Sequence, residues 1–406
     1  MDFFANKKYI LYFLLLTIIV YICYKISISE KFKAIKRLCC LTEQQVESFL
    51  NSYDKIFNDQ SMISTLQDYK DGKPPARFII PEQDKTADYT ADCYSILIDL
   101  CTLGNVQKMY IPMVMDINKS LPENQCLWEQ KLANDLNVKP GSKILDIGCG
   151  AGIIANDVSF YTNSTVYGIN IDNKQLQQAK ELAKKNKTNN EFFYQDSNSK
   201  YDFPDNYFDA IYVVQAMLTF IHNLDVFKEL YRILKPGGKV YIQDGLLLDN
   251  FDKNNKHHMK LMKNSRQVME GVVFRHYKYY EDMIADAGFK LLVSKPNNCC
   301  PLLIREHQHY DLIENITNTL VKYKVIPEYI DKLMQRLRFG AEDCIEMEQK
   351  KLLTMSYDFY FEKPLKPISL PKTTTLQPNS DIENDNTKSD KEKDKTESEP
   401  DKDKTE

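Results

Sequence analysis

The chain has 406 residues, 43% of them apolar and 27% charged, enough to bury one or two ordinary cores without covalent staples. A formal net charge of -4 leaves no basic footprint, which argues against a nucleic-acid partner. The 10 cysteines fall as Cys39-Cys40, Cys299-Cys300 and scattered singles, with no CxxC and no histidine at ligand spacing, so reduced thiols and no metal site are expected.

In chain order, the first element is "YILYFLLLTIIVYICY", Tyr9–Tyr24, uncharged and predominantly apolar. With Ile26 and Ile28 beyond Lys25 it approaches the roughly 20 residues that span a bilayer, so an N-terminal transmembrane helix over residues 1–30 is expected. A cleaved signal peptide is the rival reading, but Ser27 and Ser29 flank Ile28 without a small-residue cleavage pattern. Lys25, Lys31, Lys33, Lys36 and Arg37 outweigh Lys7 and Lys8, which places the bulk of the chain on the cytosolic side. Residues 31–134 have mixed helical periodicity and read as a helical cap.

Lys143–Ile147 is an apolar run too short for a helix and reads as a buried strand. Gly148, Gly150 and Gly152 follow it, letting the backbone turn sharply and approach a ligand closely before a helix opens at Ile153. Then come a strand at "TVYGIN", a helix around Lys174–Lys185, strands at "EFFYQD" and "FDAIYVVQ", a helix through Val226–Leu234 and a strand at "KVYIQD". This βαβ succession predicts an α/β fold, a mainly parallel sheet with helices on both faces. "YYEDMIADAGFKLLVS" adds a helix ended at Gly288 and another strand. Two helical stretches then separate it from a last strand at "SYDFYFEK", a helical insertion within residues 301–364. From Lys372 onward the mixed-charge sequence has almost no apolar residues, and residues 365–406 are expected to be disordered.

"LDIGCGAG", "VYGINID", "FPDNYFDAIYVVQA" and "ELYRILKPGGKVYIQD" resemble, in order and spacing, the motifs of class I S-adenosylmethionine-dependent methyltransferases across residues 135–300. A G-x-G-x-G turn preceded by Asp146 differs from the G-x-G-x-x-G of dinucleotide enzymes. The resemblance implies a Rossmann-like sheet and S-adenosyl-L-methionine as cofactor. It assigns the glycines to the cofactor loop and Asp146 to the amino acid head of the cofactor, directly or through a water. Asn170, with Asp172 as substitute, falls to the ribose, and Asp196, followed by Ser197, to the adenine, with a plain turn as the rival reading for Asp196; Gln175 is a further cofactor-binding candidate.

"GIN", Gln175, "LLLDNFDKNNKHHMKLMKNSRQVMEGV" and the helices before "YDFYFEKP" further resemble the sterol C-methyltransferase branch. Gln215 and Thr219 stand where that branch carries Glu and His, and its N-terminal aromatic signature is absent. The resemblance implies a sterol or sterol-like lipid as substrate, carbon methylation, and a membrane location, the endoplasmic reticulum. Asp244 and Gln215 are the catalytic candidates, Gln215 also touching the cofactor. Asp244 ends "KVYIQD" at the sheet edge where such folds bind ligands, its rival role being to order a loop. Tyr94, Tyr110, Tyr277 and Tyr280 are candidate wall residues facing a cationic intermediate. His257 and His258 read as solvent-facing bystanders. Methylation of a heteroatom, as on a phospholipid headgroup, and a non-catalytic binding module are the alternative functions. Oligomeric state is not legible.

Overall fold

The computed structural model describes residues 29–51, 60–76, 96–103, 108–218, 225–269 and 273–366, and the single residues 21, 25, 221 and 271. They lie in a compact unit of residues 1–368. The tail expected to be disordered falls outside the described residues apart from residues 365 and 366, and of the expected membrane span over residues 1–30 only Tyr21, Lys25, Ser29 and Glu30 are described, Tyr21 and Lys25 being helical and exposed. Among the described residues no helix is long and apolar enough to cross a membrane.

The chain opens with α1 (Glu30–Leu38), α2 (Glu43–Asn51), β1 (Ile63–Ser64) and α3 (Leu66–Lys70), and residues 96–103 are helical. After α4 (Leu121–Leu136) come β2 (Lys143–Ile147), α5 (Ile153–Thr162), β3 (Thr165–Asn170), α6 (Asn173–Asn186), β4 (Glu191–Tyr194) and β5 (Phe208–Val214). The second half carries α7 (Val226–Ile233), β6 (Leu234–Leu247), α8 (Lys256–Met269), β7 (Phe274–Arg275), α9 (Tyr277–Asp286) and β8 (Lys290–Pro296). It ends with α10 (Cys300–Lys322), α11 (Tyr329–Gln349) and β9 (Leu353–Glu362).

Local sequence sets several of these boundaries. Ser120 and Glu123 form a capping box at the start of α4, Ser120 N donating to Glu123 Oε2 at 2.9 Å, and Asn137 ends the helix at φ 48°. Gly152, at φ 74°, is the N-cap of α5. The helix read through Val226–Leu234 is there. The following strand starts earlier than "KVYIQD", because Leu234 already pairs with Phe208 ahead of a bulge.

The seven-stranded sheet runs β4-β3-β2-β5-β6-β9-β8. The first five strands are parallel, and β9 runs antiparallel to both β6 and β8. This is the α/β sheet expected, with α10 and α11 inserted between β8 and β9. Among the described residues of the expected cap, α1 to α4 and residues 96–103 are helical, residues 108–120 are not, and β1 pairs in parallel with β7.

Alternation along β2 divides two cores. Leu145 and Ile147 pack with α7 and α9 residues such as Phe227 and Tyr280, while Ile144 packs with Trp128, Val158 and Ala179 on the other face. A third cluster joins Ala34 and Leu38 of α1 to Tyr310, Leu333 and Met334 of the insertion. Strand order reverses between β2 and β5, so their carboxyl ends open the crevice where such sheets hold ligands.

Candidate cofactor site

Asp146 lies on β2 opposite Tyr212 of β5, and that register brings the Tyr212 hydroxyl to Asp146 Oδ2 at 2.8 Å. Asp146 is buried, and the burial pushes its carboxyl up to about 7 against the opposing pull of the Tyr212 hydrogen bond. One residue past β2 the three glycines adopt φ of +75°, +53° and +74°. They are not equivalent. A Cβ on Gly148 would stand 2.4 Å from Ala216 Cβ, and one on Gly152 would stand 2.7 Å from Ala179 Cβ, so these two allow close packing. A Cβ on Gly150 would meet only Gln175 Oε1 at 3.4 Å, so this glycine fronts open space.

At the end of β3, Asn170 Nδ2 donates to Gln175 Oε1 at 2.9 Å, and Asn170 Oδ1 accepts from Ile171 N. The two amides and the Gly150 backbone thus share one corner. Asp172 is drawn off to another task. Its Oδ1 accepts from Lys174 N at 2.7 Å and caps α6, so one carboxylate oxygen serves the helix. Asp196 is exposed and accepts from Asn198 N at 2.8 Å, the turn geometry of its rival reading; Ser197 is half-buried beside it.

At the carboxyl edge Asp244 is buried, and its carboxylate is spent on backbone. Oδ2 accepts from Met217 N and Leu218 N at 3.2 and 2.8 Å, and Oδ1 from Gly245 N at 2.8 Å. Burial holds it up at about 6 despite those donors. It orders the loop after β5, the role that rivalled a free base. From the far side, Arg275, fully buried, donates to Leu218 O, Ile221 O, Ala76 O and the Tyr280 hydroxyl.

Gln215 keeps φ at 45°, and its side-chain amide bonds the backbone of Ile111 and Met355 O. It is therefore occupied rather than free to take part in chemistry. Tyr110 and Tyr280 are core residues, not walls. The Tyr110 hydroxyl donates to buried Glu129 at 2.7 Å and its ring lies 5.3 Å from Trp128; the Tyr280 hydroxyl donates to Leu218 O at 2.9 Å. Tyr277 is half-buried and stacks on Tyr357, with ring centroids 5.1 Å apart. Tyr94 and Thr219 lie outside the described residues.

Three parts of the site escape sequence reading: Tyr212 beneath Asp146, buried Arg275, and the segment 108–120 across the sheet edge. Only Arg275 carries a signal, a cation directly after the apolar run "VVF" and just ahead of "YKYY".

Residues 144–238 match the profile of a methyltransferase domain family. The cycloartenol-C-24-methyltransferase of Arabidopsis thaliana is 28% identical over 61% of this chain and 78% of its own length. The chain carries an S-adenosylmethionine-dependent methyltransferase domain. A second such relative, cycloartenol-C-24-methyltransferase 1 of Oryza sativa subsp. japonica, is 25% identical over 80% of this methyltransferase and 95% of that protein. The solved mycolic acid cyclopropane synthase CmaA1 in complex with SAH shares the fold, at TM-score 0.54 and 16% identity over 64% of this chain and 90% of that one.

The arrangement around the glycine turn is compatible with S-adenosylmethionine. Gly150 leaves backbone open to it, the Asn170 and Gln175 amides suit hydroxyls, and the raised Asp146 carboxyl is a site that a neighbouring cation would ionise. Among the described residues no cluster suits a metal ion, and the described cysteines are free thiols.

Proposed function

We propose that this methyltransferase acts on a sterol or sterol-like lipid and transfers the methyl to carbon. The relatives named as cycloartenol-C-24-methyltransferases support that substrate class, and the single observation that carries it is the likeness of the Oryza sativa protein over 80% of the chain, well beyond the cofactor half. We further propose that Tyr9–Tyr24 anchors the enzyme in a membrane, the endoplasmic reticulum, with the catalytic unit on the cytosolic side where a bilayer-dissolved acceptor is at hand.

Bound S-adenosylmethionine supplies an electrophilic methyl on a sulfonium. The chain's part is to hold and orient. Asp146 would take the cationic amino group, Gly150 would admit the cofactor against bare backbone, and Asn170 with Gln175 would grip the ribose. The loop after β5, fixed by Asp244 and Arg275, presents a rigid edge toward the acceptor. Orientation and exclusion of water of this kind supply on the order of 7–11 kcal/mol of a displacement barrier.

The test is incubation of the purified enzyme with methyl-labelled S-adenosylmethionine and a total lipid extract, followed by identification of the labelled product. Label on a sterol carbon is the expected result. Label on nitrogen or oxygen would replace this reading with the heteroatom one, which the engagement of Asp244 favours because such an acceptor needs no later loss of a proton from carbon.

A further inference from the structure

We propose that Gln215 is a positioning residue: its primary amide clasps the strap of residues 108–116 to the carboxyl edge of the sheet, and a carboxylate there could not. Gln215 Oε1 accepts from Ile111 N at 3.1 Å, while Nε2 donates to Ile111 O at 3.0 Å and to Met355 O. A side chain thus gives one residue both bonds that a neighbouring strand would give. The backbone accommodates this by holding Gln215 at φ 45°, a conformation that L side chains adopt rarely and that clusters at functional sites. Gln215 N in turn donates to Gln243 O at 2.7 Å, and Gln243 Nε2 reaches Ile111 O at 3.1 Å, so β5, β6, β9 and the strap meet at one knot.

The remainder of the strap is tied separately. Gln125 Nε2 donates to Tyr110 O at 2.7 Å, Val114 N donates to Asn298 O at 2.9 Å, and Asn124 Oδ1 accepts from Met115 N and Asp116 N. Ile111 is where the strap meets the end of β5. The residue after Gln215, Ala216, packs against Gly148 of the glycine loop. Any consequence for the cofactor rests on the functional reading above; the clasp itself does not.

A carboxylate at this position could still accept from Ile111 N. It would have no proton for Ile111 O or Met355 O and would set a negative charge against two carbonyl oxygens. Protonation would restore a donor. The charged groups bordering the knot are Asp244 next to Gln243, Asp358 opposite Gln243 on β9, Glu348 on the Met355 amide, and the Glu129–Lys108 pair beneath Tyr110. All are carboxylates or a paired lysine, and the carboxylates would oppose ionisation of an introduced acid.

The experiment is hydrogen exchange of the Ile111 amide in the full chain without cofactor, as protection factors between pH 6 and 8.5, for wild type, Gln215→Ala and Gln215→Glu. The Gly148 amide, bonded to Ile169 O at 2.9 Å, reports on the sheet itself. Gln215→Ala should lose about 10- to 100-fold in Ile111 protection at every pH, as expected for lost buried hydrogen bonds, with Gly148 little changed. Gln215→Glu should lose it at pH 8.5, because repulsion at the Ile111 and Met355 carbonyls lifts the strap even though Ile111 N keeps an acceptor, and recover it on acidification. Unchanged Ile111 protection in both variants, equal losses at Ile111 and Gly148, or a Gln215→Glu profile without pH dependence would each overturn the proposal. Calorimetric titration of the wild type with S-adenosylmethionine separates the two claims: failure to bind would sink the functional reading and leave the exchange result standing.

Discussion

Alanine at Gly148, Gly150 and Gly141 makes three perturbations that share a backbone cost and differ in what surrounds the new methyl. All three sit in the left-handed region, at φ +75°, +53° and +81°, where an L side chain costs about 1–2 kcal/mol. At Gly141 nothing lies within 4 Å of the new Cβ, so that strain is the whole effect. At Gly148 the methyl meets Ala216 Cβ at 2.4 Å, and overpacking of this kind adds about 1–3 kcal/mol, for a total of about 2–5 kcal/mol. At Gly150 the only neighbour is the end of the Gln175 side chain, so stability should fall about as much as at Gly141, about 1–2 kcal/mol. In the proposed cofactor arrangement that methyl would stand in the cofactor's way. Urea unfolding and calorimetric titration with S-adenosylmethionine should therefore rank the variants differently: Gly148→Ala is the least stable, and Gly150→Ala loses far more affinity than Gly141→Ala. Equal stability losses at Gly148 and Gly141, or wild-type affinity in Gly150→Ala, would refute this division of labour.

Cofactor binding should depend on pH through Asp146, which must be ionised to meet an ammonium group and titrates at about 7 in the free protein. Affinity should be constant above that value and weaken toward tenfold per unit below it. Calorimetry at pH 6 in two buffers should show proton release, and Tyr212→Phe, by removing a donor to the carboxylate, should move the midpoint upward. The sign for stability is opposite: with its folded value raised, Asp146 supports folding below its ordinary 3.8 and withdraws that support as pH rises through about 7, measurable by urea melts. Arg275→Met leaves the Ala76 and Ile221 carbonyls without their guanidinium donor and should cost about 2–5 kcal/mol in urea unfolding; a loss below 1 kcal/mol would show that the cap and the loop hold without it. Asp244→Asn turns an N–H group toward a backbone N–H, so stability and cofactor affinity should drop together while single-turnover methyl transfer at saturating cofactor stays within a few-fold. A 10²–10⁴-fold loss of rate with binding intact would restore Asp244 as a base.

Much of the sheet was legible because its strands are short apolar runs closed by turn residues. Lys143–Ile147 and Thr165–Asn170 have the bounds the sequence suggested, and the glycine turn announces its place between strand and helix. The insertion before β9 was also readable from helical periodicity. Where a contact joins distant parts of the chain, local pattern fails. Gln243 reaches Ile111 across 132 residues and Tyr212 reaches Asp146 across 66, and nothing near Ile111 marks it as a partner. Tyrosines illustrate the same limit. Tyr110 and Tyr280 look like any of the 25 in the chain, and only packing shows that both point into cores. Asp172 and Asp244 were visible as acids at strand ends, yet the amides that claim them belong to the folded backbone.

The place of β9 between β6 and β8 has a consequence for how this enzyme comes into being. β8 borders the sheet only through β9, and β9 is separated from it by two long helices, so β6 stands as a bare edge until residues 353–362 have left the ribosome. Until then the Met355 carbonyl and the Ser356 hydroxyl that complete the knot at Ile111 are missing too. Pairing across such a sequence gap is slow and leaves the partly made sheet open to aggregation. A chain stopped after α11 would carry every glycine of the cofactor loop and still lack the strand that joins β6 to β8, so the sheet is completed by residues 353–362 and not by the cofactor motif.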